Sequence, residues 1–227
     1  RYSLQILLAL NRPQDLAPHL QKLIELSPPQ QQVELILATP KLLSRTSNSA
    51  AALQSVQTAF KPFVKQRHTA PAAYSALAQM QQQQRQYDQA LESTRLALRA
   101  DPSFLPAAAV ALDLMETRPQ AAEPLVWQFL QHPKNPVGST PHQLVQLGLA
   151  RALTALNHND QAQTQLTPLL QQKPDWAEAW LLQGALYAQQ NLLPQAQSAL
   201  EKYLHLLEQA PQSVSSGKNP ALLQLAQ

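Results

Sequence analysis

Large and small apolar residues recur at regular spacing in three stretches of the chain. In the first, Tyr74 and Ala78 lie four residues apart, and Ala90 follows twelve residues later. Two later stretches repeat this arrangement. The first contains Leu144, Gly148 and Ala162, and its small residues lie fourteen residues apart. The second contains Trp180, Gly184 and Ala196. A four-residue spacing places two side chains on one helix face. The pattern therefore predicts helix pairs that approach closely at their small residues.

Proline marks the ends of these predicted helix pairs, because it cannot continue a helical hydrogen-bond ladder. Pro102, Pro174 and Pro211 occupy such positions. The predicted hairpins span residues 71–104, 141–176 and 177–210, with a weaker copy at 105–140. The two extra residues of 141–176 are expected in its inter-helix turn. Residues 1–70 are expected to form degenerate hairpins, and residues 211–227 a linker and a C-terminal capping helix.

Composition supports an all-helical chain. Leu, Ala and Gln make up about half of the 227 residues, while Gly occurs only four times and Cys never. Helices favour Leu, Ala and Gln, whereas strands favour β-branched and aromatic residues. The near absence of Gly argues against a phosphate-binding glycine loop, and the absence of Cys excludes disulfides and thiolate metal sites. The fold class predicted is all-α.

These residues and spacings resemble the tetratricopeptide repeat, most clearly over residues 71–210. The resemblance implies a right-handed superhelix, an α-solenoid of about five to six stacked antiparallel hairpins in which each hairpin covers its neighbour. It also implies a concave groove, lined by the first helix of each hairpin, that binds a peptide or a helix of a partner. Proteins of this family have no catalysis of their own, so the resemblance implies a non-enzymatic chain without a cofactor.

The resemblance assigns groove positions residue by residue. The chain has no Lys or Arg at the positions that would clamp a terminal carboxylate, so we expect a partner segment with apolar side chains. The groove grades from polar at its N-terminal end to apolar further along. The expected groove residues are Ser75, Gln79, Gln82, Asp113, His142, Val145, Leu149, Glu178, Leu181 and Ala185.

Other chemistry has little support in the sequence. No two His residues lie three or four apart as a helical metal pair requires, although His132 and His142 flank one loop. Lys61, Lys65 and Arg67 form a short basic cluster near two Phe residues, which is more typical of an exposed helix face than of a nucleic-acid site. Residues 1–68 carry eight basic and three acidic residues. We therefore predict neither a metal site nor nucleic-acid binding.

Three functional hypotheses remain open. The first is a non-enzymatic interaction scaffold, with assembly of a bacterial envelope complex as its setting, since few charges and abundant Gln, Ala and Pro are similar to envelope tetratricopeptide proteins. The second is a regulatory or substrate-presenting segment of a larger enzyme or transporter, because the sequence begins in the middle of a helical pattern at Arg1. The third is a homo-oligomeric structural module. The sequence contains no apolar run of the length a membrane span needs.

Overall fold

The structure, a computed structural model, describes residues 13–46 and 50–209. Regular structure in these ranges is entirely helical. The chain divides into two compact units, Arg1–Leu114 and Met115–Gln227, which we call unit 1 and unit 2. Within the described ranges, no helix is both long and apolar enough to cross a bilayer.

Unit 1 contains six α-helices and one short 3₁₀ helix in the described residues. Its helices α4 and α5 form a hairpin, and α6 packs against both of them. Helix α1 packs mainly on α3, while α2 packs mainly on α4. The bounds are α1 Pro13–Glu25, α2 Pro29–Thr46, α3 Ala50–Phe60, 3₁₀ Phe63–Lys65, α4 Ala70–Gln83, α5 Tyr87–Ala100 and α6 Leu105–Leu114.

The helices in the N-terminal part of unit 1 do not pair in sequence order. Helix α2 contacts α4 more than α3, so these neighbours in sequence do not form a simple hairpin. Helix α2 also continues past Pro40 to Thr46. A proline inside a helix costs about 3 kcal/mol. Ile36 and Leu43, one on each side of Pro40, are both fully buried, and their packing offsets that cost.

Unit 2 contains five α-helices in the described residues. Helix α8 pairs with α9 and α10 pairs with α11, and α9 packs against α10 to join the two hairpins. Helix α7 packs against α8. The bounds are α7 Pro119–Leu130, α8 Thr140–Ala155, α9 Asn159–Gln172, α10 Ala177–Gln189 and α11 Leu193–Gln209.

Three hairpins are closed by the same three-residue turn, at 84–86, 156–158 and 190–192. The middle residue of each turn has a positive φ, at Arg85, Asn157 and Asn191. In the first turn, the Gln86 N–H donates to the carbonyl of Gln81 and the Arg85 N–H to that of Gln82. These two bonds define a Schellman motif, which satisfies carbonyls that the helix end leaves without partners.

The turn of the 141–176 hairpin is therefore not longer than the others, contrary to the sequence prediction. Helix α8 has 16 residues, whereas α4 has 14. The two extra residues extend the first helix of the hairpin. A Schellman motif fixes the geometry of the turn, so additional residues are accommodated more easily within the regular helix.

Gly184 lies at a tight contact between α10 and α11. A Cβ atom at this position would lie 2.9 Å from both Cγ and Cδ2 of Leu200. The equivalent small residues Ala78, Ala90 and Ala162 are fully buried. The small residues thus lie at tight helix contacts, as their spacing predicted.

A buried asparagine holds the connector between α7 and α8 against the end of α7. The Asn135 side-chain N–H₂ donates to the Phe129 carbonyl at 2.7 Å, and the Asn135 backbone N–H donates to the His132 carbonyl. Asn135 is almost inaccessible to solvent. A buried amide with satisfied hydrogen bonds stabilises one loop conformation rather than permitting free movement.

Candidate functional site

One face of helix α10 remains open to solvent in unit 2. It consists of Leu181, Ala185 and Ala188, which are exposed, and of Glu178, which is half-buried; their spacing of three and four residues places them on one helix face. Leu182 and Leu186 on the same helix are buried, and α10 packs against α11 and against the preceding hairpin. Leu181 is 42% exposed. We call these four residues the α10 face.

Helix α8 does not present its predicted groove residues to solvent. Val145 and Leu149 are both 0% exposed, and His142 is buried as well. The reason is that α8 contacts α7, α9 and α10, so most of its circumference is covered. Val145 and Leu149 therefore belong to the core of unit 2 and cannot contact a partner in this structure. On the same helix, Arg151 and Ala155 are exposed and Ala152 is half-buried.

In unit 1, the predicted groove residues divide into buried and accessible positions. Ser75 is fully buried, and its Oγ has no hydrogen-bond partner in the described residues. Gln79 and Gln82 are half-buried on the same helix, and Asp113 on α6 is exposed. Of these four, Ser75 is therefore not available to a partner in this structure, whereas the other three are.

Glutamine side chains form hydrogen bonds between neighbouring helices of unit 2. Gln183 on α10 is buried and exchanges amide hydrogen bonds with Gln163 on α9. On α8, Gln143 donates to the Gln172 side chain and Gln146 donates to the Gln165 carbonyl. Glutamine thus serves as a buried connecting residue as well as a surface residue, which composition alone did not indicate.

A cavity of about 440 Å³ lies beside the α7–α8 connector. His132 and His142, which flank the connector in sequence, both line it. Burial lowers the pKa of His142 by desolvating its charged form, and its Nδ1 has no hydrogen-bond partner in the described residues. The described part of the chain contains no group of three or more His, Asp or Glu residues placed to hold a metal ion. The walls are mostly apolar; they include Trp127, Leu130, Pro133, Pro136 and Val137.

An apolar surface on α11 of unit 2 was not predicted from the sequence. Leu200, Leu204 and Leu207 lie on one face of this helix and are all exposed. Their spacing of four and three residues is the usual sign of an apolar helix face. The spacing of these leucines in the sequence is the signal that could have predicted this surface.

Comparison with known proteins agrees with this geometry. Residues 113–186 match a family model described as tetratricopeptide repeat. This segment of the chain is therefore similar to tetratricopeptide repeats. The crystal structure of YrrB, described as a tetratricopeptide-repeat protein with an unusual peptide-binding site, matches 84% of this chain and 93% of its own, with a TM-score of 0.50 and 18% identity. No curated protein gave a significant match. The all-α, tetratricopeptide-like fold predicted from the sequence is confirmed.

Proposed function

We propose that this chain is a non-enzymatic interaction module that binds an apolar segment of a partner protein on the α10 face. The tetratricopeptide fold supports protein binding as the general role. The observation that carries the proposal is the exposure of Leu181 on a helix whose residues Leu182, Gln183 and Leu186 are buried. The partner segment is helical or extended, with apolar side chains directed at Leu181.

The α10 face is suited to such a segment because of its side-chain sizes. Leu181 has a large apolar side chain, whereas those of Ala185 and Ala188 are short and let a partner side chain approach the helix beside it. A partner side chain placed there buries apolar surface on both molecules. Burying one such side chain contributes about 1.5–3 kcal/mol.

Peptides selected from a random library against the full chain provide the probe for testing this proposal. We expect the selected sequences to contain two or more apolar residues. Leu181→Asp should weaken their binding by about 10-fold or more, since loss of one apolar contact of this size corresponds to such a factor. The matched control is Leu26→Asp, because Leu26 is an exposed leucine of unit 1. The proposal would be contradicted if both variants weakened peptide binding equally, or if neither variant weakened it.

We further propose assembly of a bacterial envelope complex as the setting of this binding. The support is compositional: the chain has no Cys, only 14% charged residues and much Gln, Ala and Pro. The test is fractionation of the native organism with an antibody against the chain. Recovery with the envelope fraction supports this setting, and recovery with the cytosol alone contradicts it.

A further inference from the structure

The cavity beside the α7–α8 connector lies within unit 2, since its lining residues fall between Trp127 and Gln165. We call it the connector cavity. Its volume of about 440 Å³ lies in the range of roughly 300–1,000 Å³ that is usual for small-molecule sites. Since a cavity of about 150 Å³ already accommodates benzene, it has room for a molecule of two rings. All of its lining residues belong to the described part of the chain, whereas the linker and capping helix expected over residues 211–227 lie outside it.

Two residues of the cavity wall have hydrogen-bond partners within the chain. The Trp127 Nε1–H donates to the Glu123 carboxylate at 3.1 Å, and the Asn135 side chain donates to the Phe129 carbonyl at 2.7 Å. Asn135 thereby fixes the connector against the end of α7. The wall is therefore largely preformed, and a preformed site loses less conformational freedom when a ligand binds.

His142 differs from these two residues in its hydrogen bonding. It is 7% exposed, and its Nδ1 forms no hydrogen bond with any described residue. Buried polar groups in folded proteins nearly always have a hydrogen-bond partner, which is water or a ligand where the protein supplies none. Because His142 lines the connector cavity, we expect its partner to be a polar group of a molecule bound there.

The lining of the connector cavity favours a ligand without charge. It includes no Lys, Arg, Asp or Glu that could pair with a charged group. Burial lowers the pKa of His142 by desolvating its charged form, so the ring is neutral at neutral pH. A neutral imidazole has one N–H donor and one acceptor nitrogen. A hydroxyl group can pair with either of them, because it both donates and accepts a hydrogen bond.

The other lining residues favour a flat apolar molecule. Trp127, His132 and His142 are aromatic, and Pro133 and Pro136 carry saturated rings. Aromatic molecules pack on aromatic side chains in stacked or edge-to-face arrangements. We propose that the connector cavity binds a small, uncharged aromatic molecule with one hydroxyl group, and that this hydroxyl forms a hydrogen bond with His142. The site is separate from the α10 face, since none of its lining residues lies on α10.

The test is titration of the full chain at pH 7.5 with 2-naphthol, and with naphthalene as the matched ligand that lacks the hydroxyl. His142→Phe keeps an aromatic ring in the cavity wall but removes both ring nitrogens. This substitution should weaken the binding of 2-naphthol about 10-fold and change that of naphthalene by less than about 2-fold, since it removes one hydrogen bond. The control is His205→Phe, at an exposed position of α11, which should change neither dissociation constant. Circular dichroism checks that both variants fold.

A second measurement uses the unsubstituted chain and therefore does not depend on the folding of the variants. The imidazole ¹⁵N chemical shifts of His142 should change when 2-naphthol binds, and should change much less with naphthalene. The proposal would be overturned if His142→Phe weakened both ligands equally or neither of them, or if the His142 shifts did not respond to 2-naphthol.

A third probe, N-acetyl-tyrosinamide, presents a hydroxylated ring on a peptide backbone. Tighter binding of this probe than of 2-naphthol, with a response of the His142 shifts, would overturn the proposal in favour of a tyrosine side chain of a partner protein. Weaker binding supports a small molecule as the ligand. Failure of peptide binding at Leu181 leaves all of these results unaffected, because Leu181 does not line the connector cavity.

Discussion

Gln183 and Gln163 exchange two amide hydrogen bonds across the packed surfaces of α10 and α9. The Gln183 Nε2 donates to the Gln163 Oε1 at 2.9 Å, and the Gln163 Nε2 donates back to the Gln183 Oε1 at 3.3 Å. Gln183 is 2% exposed, while Gln163 is half-buried. The pair links one repeat of unit 2 to the next. If the hairpins separated, each amide would lose its hydrogen-bond partner.

We predict that Gln183→Ala lowers the free energy of unfolding by about 1–3 kcal/mol, because the substitution removes both bonds and leaves a small cavity. A double-mutant cycle with Gln163→Ala should give a coupling energy of about 0.5–1.5 kcal/mol. Urea denaturation measures all four proteins. Gln189→Ala, at an exposed position of the same helix, is the control. A coupling energy of zero would show that the amide pair does not join the repeats.

A second prediction concerns the contact between Gly184 and Leu200. Gly184→Ala should destabilise the chain by about 1 kcal/mol, since the added methyl group overlaps Leu200 and costs more than alanine gains in helix propensity. In a Leu200→Ala background the same substitution should stabilise by about 1 kcal/mol. Thermal or urea denaturation of the four proteins tests this reversal of sign. Destabilisation of equal size in both backgrounds would place the close contact elsewhere.

A third prediction separates core residues from surface residues of the expected groove. Leu149→Glu should lower the free energy of unfolding by several kcal/mol, since removal of the buried side chain alone costs about 2–5 kcal/mol and the buried charge adds to this. Leu181→Glu, on the exposed α10 face, should change it by less than about 0.5 kcal/mol. Chemical denaturation compares the two variants directly. Similar losses from both would mean that Leu181 is also part of the core.

A fourth prediction follows from the lowered pKa of His142. Between the folded value of this pKa and the unfolded value near 6.5, the unfolded chain binds more protons than the folded chain. The contribution of His142 to stability is therefore fully present above about pH 6.5 and is lost as the pH falls.

The measurement is the urea midpoint at pH 5 and pH 7.5. His142→Gln should show a smaller loss of stability at pH 5 than the unsubstituted chain. His205→Gln, at an exposed position on α11, should keep the full loss. If His142→Gln retained the whole pH dependence, other groups would be responsible for it.

The repeat architecture could be predicted because only small residues fit where two helices approach each other closely. The spacing of Ala78, Ala90, Gly184 and Ala196 is enough to locate the hairpins along the chain, and Gly184 does lie in tight contact with Leu200. The turns were harder to predict. Arg85 takes a positive φ that Gly or Asn usually adopts, because the two Schellman hydrogen bonds compensate for its side chain.

The candidate site was predicted only in part. Leu181 and Ala185 are exposed as expected, but Val145 and Leu149 occupy matching positions on a helix that other helices surround. Position within a repeat indicates which face a residue occupies. It does not indicate whether that face is covered, since coverage depends on neighbours far away in sequence. The same reason explains why the exposed leucines of α11 were not predicted as a surface.

The central claim is that a partner segment binds on the α10 face. Backbone amide chemical shifts of the isotope-labelled chain, recorded during titration with a library-selected peptide, test it most directly. We predict that the largest shift changes fall between Glu178 and Ala188 and that they saturate with one peptide per chain. Largest changes in α11 or in unit 1, with none between Glu178 and Ala188, would contradict the account.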